Sequence, residues 1–290
     1  MILVIPASGY TGLAVTRALT NRGLQVRGLV RSAEAEGQVR AAGATEVAYG
    51  DIRDMDALVA ALRGVDGVFF LGPRHMAEEA AVGKAVIDAA VREGVRRFVL
   101  SGVYHPVIRP LLNHRSKRDI EDHLYKTDLE FTVLQPARFM HALIRSNLDR
   151  VPADRVLADS FATDAKMAYV DYLDVAEVAA TAFAEDTLLR GSFELASSGQ
   201  HTLTELAAVL SEELGVSVSA RQIVWDDIPP QRRGLDNPYS AEAFRRLWSY
   251  YNEYGFHGGN SLVLHTILGR EPNTFVDCWR REAALKLQSA

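Results

Sequence analysis

The chain opens on a strand that runs directly into a glycine turn and then a helix, and this order constrains what can follow. Ile2 to Ile5 form an uninterrupted aliphatic run, which reads as a strand buried on both faces. Pro6 to Gly12 follow as a turn of small residues. From Leu13 the apolar spacing becomes helical, with Val15, Ala18 and Leu19 on one stripe, and Asn21-Arg22-Gly23 forms a stop. Strand, glycine turn and helix together present backbone N–H groups to a phosphate. Ser8, Gly9, Tyr10, Thr11 and Gly12 are therefore the candidate phosphate-binding residues. Gly9 lets the backbone approach a pyrophosphate, and Gly12 lets the helix pack closely on the strand. The spacing is G-x-x-G-x-x-G with Pro6 in the place of the first glycine, and proline neither donates an N–H nor adjusts its φ.

The same alternation continues for some 135 residues. Strands are predicted over 24–30, 46–49, 68–71, 98–100 and 131–134, with helices over 35–42, after Asp54, over 76–93 and over 116–126. Asp54 is the expected N-cap of its helix. This pattern predicts an α/β fold, a doubly wound parallel Rossmann sheet with helices on both faces. Ligands of such sheets lie outside the carboxyl ends of the strands, so Pro6–Gly12, Arg31-Ser32, Asp51-Ile52, Gly72-Pro73, Ser101–Tyr104 and Gln135–Phe139 should border one crevice. Beyond residue 137 the pattern loosens into a helix over 170–183 entered through Asp171 or Asp174, a strand over 192–196, a helix over 203–214 and a strand over 218–224. The stretch from 225 to 290 reads as mostly helical. The expected domains are residues 1–150, the nucleotide-binding sheet, and 151–290, a smaller, mostly helical substrate lobe partly interleaved with it.

Composition excludes several classes of function. A net charge of −5 gives no basic field for nucleic acid, and the Arg-Arg pairs at 232–233, 245–246 and 280–281 read as solvated helix faces. The single cysteine, Cys278, allows no internal disulfide and reads as buried packing in a late helix. Met1 leads into a core strand, with no basic leader and no apolar run of membrane-spanning length. A cytoplasmic, unanchored protein, monomer or homodimer, is expected. Eight histidines without an H-E-x-x-H or a Cys/His cluster predict no metal site.

With these motifs in order, the chain resembles the NmrA-like branch of the atypical short-chain dehydrogenases/reductases. The resemblance rests on Ala7-Ser8-Gly9-Tyr10-Thr11-Gly12, Arg31, Gly50-Asp51, and His114 and Lys117 before Asp119-Ile120-Glu121. It continues through 131–140 (FTVLQPARFM), Tyr169-Val170-Asp171 with Asp174-Val175-Ala176, and Leu268-Gly269-Arg270-Glu271-Pro272. It implies NADP(H) as cofactor, bound by the turn together with Arg31, Asp51, Ile52, Gly72, Lys117 and Phe139. The family holds both NADPH-dependent reductases and cofactor-binding redox sensors without activity.

Arg31 stands where an acidic residue would bind the ribose 2′-hydroxyl of NAD, and a guanidinium there suits a 2′-phosphate. The resemblance implies that Asp51 accepts from the adenine amino group while Ile52 packs on the ring; the alternative for Asp51 is a loop cap. It also implies that Lys117 reaches the nicotinamide ribose. The wider superfamily places a tyrosine four residues before that lysine, and here the position is Asn113. The catalytic candidates are then Lys117, Ser101, Tyr104 and His105, with His114 as a further donor. The aromatic group from Trp248 to Phe256 reads as core, or as the roof over a bulky aromatic substrate. Three functions are compatible with these residues: an NADPH-dependent reductase of a carbonyl or quinone-like small molecule, an NADP(H)-sensing regulatory protein, or a non-redox cyclase or isomerase of a natural-product-like substrate.

Overall fold

A computed structural model describes residues 1–73, 76–228 and 237–288. The Arg232-Arg233 pair lies outside these residues. The elements of the first half are β1 (Ile2–Ile5), α1 (Tyr10–Asn21), β2 (Val26–Val30), α2 (Ala33–Ala41), β3 (Glu46–Tyr49), α3 (Met55–Leu62), β4 (Gly67–Leu71), α4 (Glu79–Arg92), β5 (Arg97–Ser101), α5 (Leu112–Leu124) and β6 (Glu130–Pro136). Then come β7 (Arg138–Phe139), α6 (Met140–Arg145), α7 (Arg150–Asp154), β8 (Val156–Asp159), β9 (Met167–Val170), α8 (Tyr172–Ala184), β10 (Gly191–Leu195), β11 (Gln200–His201), α9 (Leu203–Leu214) and β12 (Ser219–Gln222). The described chain closes with α10 (Pro238–Tyr254), α11 (Leu262–Leu268) and α12 (Phe275–Gln288).

Two compact units result. The first comprises residues 1–109, 113–136 and 172–194, and the second comprises 110–112, 137–171 and 195–290. The first unit is built on a seven-stranded sheet in the order β10-β6-β5-β4-β1-β2-β3. Every pairing from β3 through β6 is parallel. The order reverses between β1 and β4, which is the switch point where an open α/β sheet leaves a crevice at its carboxyl edge. Burial explains the sequence pattern: Leu3, Val4 and Ile5 are fully enclosed, as an aliphatic run with layers on both faces requires. Leu58 and Leu62 of α3, Ile87 of α4 and Ile120 of α5 cover one face through a continuous apolar core with Leu3, Phe70 and Phe98. On α1, α8 packs alongside.

The return of residues 172–194 to this unit has a polar anchor. Arg97, at the start of β5 and almost fully buried, donates to the carbonyls of Ala182, Phe183 and Glu185 at the carboxyl end of α8, at 3.0–3.2 Å. A cation at that end meets the negative pole of the helix. Glu130 and Asp186 complete its hydrogen bonds. Thr132 Oγ1 adds a 2.9 Å bond to the Leu188 carbonyl.

The second unit is helical with five short strands in two small sheets, β11-β9-β7 and β12-β8. Strands β7, β8, β9 and β11, of two to four residues each, carry no periodic signal of their own. Helix α9 begins with a capping box, Thr202 and Glu205 satisfying each other's backbone N–H groups. Two ion pairs organise the interior. Arg138 clasps Asp159 and lies over the rings of Phe161 and Tyr169, at 4.7 and 5.5 Å. Arg281 makes a bidentate pair with the fully buried Asp171, at 2.6 and 2.8 Å, and Asn273 donates to the same carboxylate. The expectation of a solvated Arg280-Arg281 face is therefore corrected for Arg281: a carboxylate removed from water requires a cation beside it. Arg280, by contrast, is exposed and pairs with Glu213.

Candidate functional site

Helix α1 begins earlier than its apolar stripe suggests. Gly9 is its N-cap, so Tyr10, Thr11 and Gly12 occupy the first helical turn. No side chain caps this end and no acidic residue stands in its first turn. That leaves the positive end of a twelve-residue helix at the carboxyl edge of β1 without a built-in anion. The two glycines have different roles. A Cβ on Gly12 would lie 2.1 Å from the Pro6 carbonyl oxygen, so the helix approaches the turn as closely as only glycine permits. A Cβ on Gly9 would meet nothing within 4 Å, and that side of the turn is open. Pro6 lies at the turn's entrance, its carbonyl packed towards Gly12.

A cavity of about 500 Å³ opens beside this turn. It is lined from four consecutive strand ends: Pro6, Ser8 and Gly9 after β1, Arg31 after β2, Gly50 to Arg53 after β3, and Leu71 and Pro73 around the end of β4. Of the sequence candidates it brings together Ser8, Gly9, Arg31, Asp51 and Ile52. Ile52 also packs against the apolar core, which fixes the floor at that point. Arg31 is exposed at the rim. Arg53 is a lining residue that the sequence pattern did not single out, although it stands only two positions after Asp51. Its guanidinium grips the Asp51 carboxylate at 2.8 Å, and Asp51 Oδ1 also accepts from the Arg53 N–H. The loop-capping geometry is thus present at Asp51. With Arg53 bonded to it and Arg31 nearby, Asp51 is held well below the usual carboxylate range.

Behind the β4 end lies a second, buried group of charges. Lys117 on α5 is 4% exposed, and its ammonium stands 3.0 Å from Glu79 at the start of α4, itself 1% exposed. The same Nζ is 3.5 Å from the carbonyl oxygen of Gly72, and a Cβ on Gly72 would lie 3.0 Å from it. Gly72 sits between Leu71 and Pro73, so the ammonium is directly behind the cavity wall. One turn along α5, Glu121 is 4% exposed and accepts from the Gln135 amide at 3.0 and 3.2 Å. Its carboxylate packs against Gly102, where a Cβ would come within 2.6 Å of Oε1. Burial raises Glu121 to about 7, with Gln135, Tyr125 and the Lys117 charge opposing the shift. Glu79 escaped the sequence reading, and Glu121 entered it only as part of the Asp119-Ile120-Glu121 motif, because isolated carboxylates in helices normally face solvent.

The remaining candidates follow β5. Ser101 is fully buried, and its hydroxyl has no hydrogen-bond partner among the described residues. Tyr104 is also buried, with its ring 4.0 Å from that of His105. His105 takes a left-handed backbone conformation, φ 52°, and its Nδ1 lies 2.7 Å from Glu194 on β10. His114 Nδ1 donates to the His105 carbonyl at 2.9 Å, and burial lowers His114 to about 4, so this imidazole is neutral. Asn113 precedes Lys117 by one turn, and its amide oxygen is buried without a partner among the described residues. Phe139 belongs to the second unit, in β7, with its ring 5.5 Å from His141.

In the second unit, Tyr251 and Phe256 stack at 4.8 Å and are buried, so this part of the aromatic group is core. Trp225, Phe244 and Trp248 form a half-buried cluster. A largely apolar cavity of about 370 Å³ lies among Met140, Tyr169, Leu206, Val209, Pro272 and Phe275. Among the described residues no group of three or more His, Cys, Asp or Glu side chains could hold a metal ion, and no helix is long and apolar enough to cross a membrane.

A parallel sheet with its switch point beside an uncapped, glycine-entered helix defines a Rossmann-type α/β protein. The chain belongs to the NmrA-like family, whose model matches residues 1–283. It is 32% identical over 294 residues to a (4-alkanoyl-5-oxo-2,5-dihydrofuran-3-yl)methyl phosphate reductase of Streptomyces griseus subsp. griseus, with 98% of each chain covered. It is 27% identical over 288 residues to an NAD(P)H azoreductase of Xenophilus azovorans, again with 98% of each chain covered. The fold is shared with the NADPH complex of an NADPH-dependent quinone oxidoreductase of Escherichia coli, at a TM-score of 0.81 and 22% identity over 97% of this chain and 99% of that one.

Proposed function

We propose that the protein is an NADPH-dependent reductase of a small carbonyl or quinone-like acceptor. The observation that carries this reading is the cavity at the switch point, where the open side of Gly9, the uncapped α1 N-terminus and two guanidiniums converge. These features fit a dinucleotide carrying a 2′-phosphate. The N–H groups of the first turn of α1 would hold the pyrophosphate, which the helix pole favours. Arg31 and Arg53 would hold the 2′-phosphate, and Ile52 would pack on the adenine. Lys117, fixed by Glu79, would hold the nicotinamide ribose from behind Gly72. When bound, NADPH supplies the two electrons of the reduction. The activities named for the phosphate reductase and the azoreductase, which match this chain over nearly its whole length, support the reaction type.

Asn113 supplies no phenol, so the proton that completes the reduction comes from another group. Tyr104 and His105, which follow β5, are the candidates, and Glu194 orients the His105 ring through Nδ1. NADPH oxidation followed spectrophotometrically with a panel of quinones, azo dyes and conjugated carbonyl compounds tests the reading. Consumption of NADPH in preference to NADH, matched by reduced product, is expected. Tight binding of NADPH without oxidation by any acceptor would instead support a nucleotide sensor, the alternative to which Asn113 and Pro6 lend weight.

A further inference from the structure

The second unit holds a cavity that the nucleotide reading does not use. Its volume is about 370 Å³, and every lining residue belongs to that unit, so it shares none with the cavity at the switch point. Two stretches that carry the family resemblance contribute to it, through Tyr169 and through Glu271-Pro272. The walls are set by polar bonds that leave the interior apolar. Ser197 Oγ donates to the Asn273 carbonyl at 3.1 Å, and the Asn273 amide donates to the buried Asp171 carboxylate at 2.8 Å. Thr274 and Asp277 cap the start of α12, each side chain accepting from the other's backbone N–H, at 3.2 and 2.9 Å. Leu206 and Val209 of α9, with Met140 at the start of α6, complete the apolar lining. Walls pinned in this way keep the space open.

We propose that this cavity is a binding site for a neutral, two-ring aromatic small molecule. The size follows from the volume: an apolar cavity of about 150 Å³ takes benzene, and this one is more than twice as large. The ring character follows from the lining. Tyr169 and Phe275 offer aromatic surfaces, and the Met140 thioether adds a polarizable contact. Neutrality follows from charge. Among the described residues that line the cavity there is no lysine or arginine, and Glu271, with its side chain 78% exposed, marks the side open to solvent. An anion would meet that carboxylate, and a cation would lose its hydration against apolar walls. One polar substituent fits on the open side, where the exposed Ser198 carries a hydroxyl 2.7 Å from that of Ser261. The proposal stands on the second unit alone and is independent of the NADP(H) reading.

The test is a ligand-observed NMR titration of the full chain with 2-naphthol, a neutral two-ring probe, and with 2-naphthoate, its anionic counterpart. Saturable binding of 2-naphthol to a single site per chain is expected, with 2-naphthoate weaker by about tenfold or more. Val209→Phe and Val276→Phe fill the cavity from α9 and from α12, and each should weaken 2-naphthol by about tenfold. Thermal unfolding of both variants without ligand should be unchanged or shifted upwards, as for filling an existing space. Saturating NADP+ should not displace the probe. Crystals of the unmodified protein soaked with 6-bromo-2-naphthol locate the ligand without any variant, and anomalous scattering should place the bromine among Tyr169, Leu206 and Phe275. Absence of 2-naphthol binding, displacement by NADP+, binding unchanged by both filling variants, or a bromine site elsewhere would overturn the proposal. The cofactor assignment stands or falls separately, on whether the same chain binds NADP+.

Discussion

Lys117 stands 3.0 Å from Glu79 with both side chains at least 95% buried, and its ammonium backs directly onto Gly72. A pair this deeply enclosed is costly to break from one side, because the surviving carboxylate loses its cation at a site removed from water. Lys117→Met should therefore lower stability by about 3–5 kcal/mol in urea denaturation. The double variant Glu79→Gln/Lys117→Met should recover most of that loss. If Lys117 also holds the ribose, NADP+ affinity measured by calorimetry should stay low in the double variant. Recovery of affinity along with stability would show that the lysine only balances Glu79.

The rim of the cavity leads to an asymmetric expectation for its two arginines. Arg31 is exposed after β2, whereas Arg53 is committed to Asp51 through two side-chain bonds. Arg31→Ala removes one charge-assisted contact to a 2′-phosphate and should weaken NADPH binding by about 1.5–3 kcal/mol, with little change for NADH. Arg53→Ala does more, because it removes a guanidinium from the cavity and also leaves the Asp51 carboxylate in its lining without that partner. A carboxylate without its cation in the cavity lining repels a 2′-phosphate. Arg53→Ala should thus move the preference towards NADH, and equilibrium titration of both variants with both nucleotides decides it. Unchanged selectivity in both would place the 2′-phosphate elsewhere.

The sheet and the turn are legible in the sequence because local pattern and burial coincide there. Ile2–Ile5, Glu46–Tyr49 and Leu203–Leu214 fall on their observed bounds, since each is closed by a strong punctuator or cap. The N-terminus of α1 is displaced from Leu13 to Tyr10 because its first turn, Tyr10-Thr11-Gly12, carries no apolar stripe. The charged half of the site was much less legible. Arg53, Glu79, Glu121 and Glu194 are ordinary helix, loop or strand charges by composition, and each gains its role from a neighbour set by the fold rather than by local pattern. Arg281 reads as one of a solvated pair for the same reason, until Asp171 is placed against it. The resemblance names Lys117 and, with it, Glu121, but gives no sign that Glu121 and Glu79 are buried beside the lysine.

Glu121 and His114 should oppose each other in acid stability, and the signs can be worked out for each. Glu121 is raised from 4.5 to about 7 on folding, so between those values the native state holds more proton than the unfolded chain. Its contribution is fully present below about pH 4.5 and is lost as pH rises through about 7. His114 is lowered from 6.5 to about 4, so the unfolded chain binds the extra proton. Its contribution is present above about pH 6.5 and is lost as pH falls through about 4. Each shift corresponds to about 3 kcal/mol, and the two largely cancel where their windows overlap. Urea denaturation across this range should therefore show little net slope from these groups in the unmodified protein. Glu121→Gln should unmask the histidine, so that stability falls as the solution is acidified from about pH 6.5. His114→Asn, whose amide can still donate to the His105 carbonyl, should unmask the carboxyl, so that stability falls as pH is raised towards about 7. Parallel pH profiles in all three proteins would mean that neither group changes its protonation on folding.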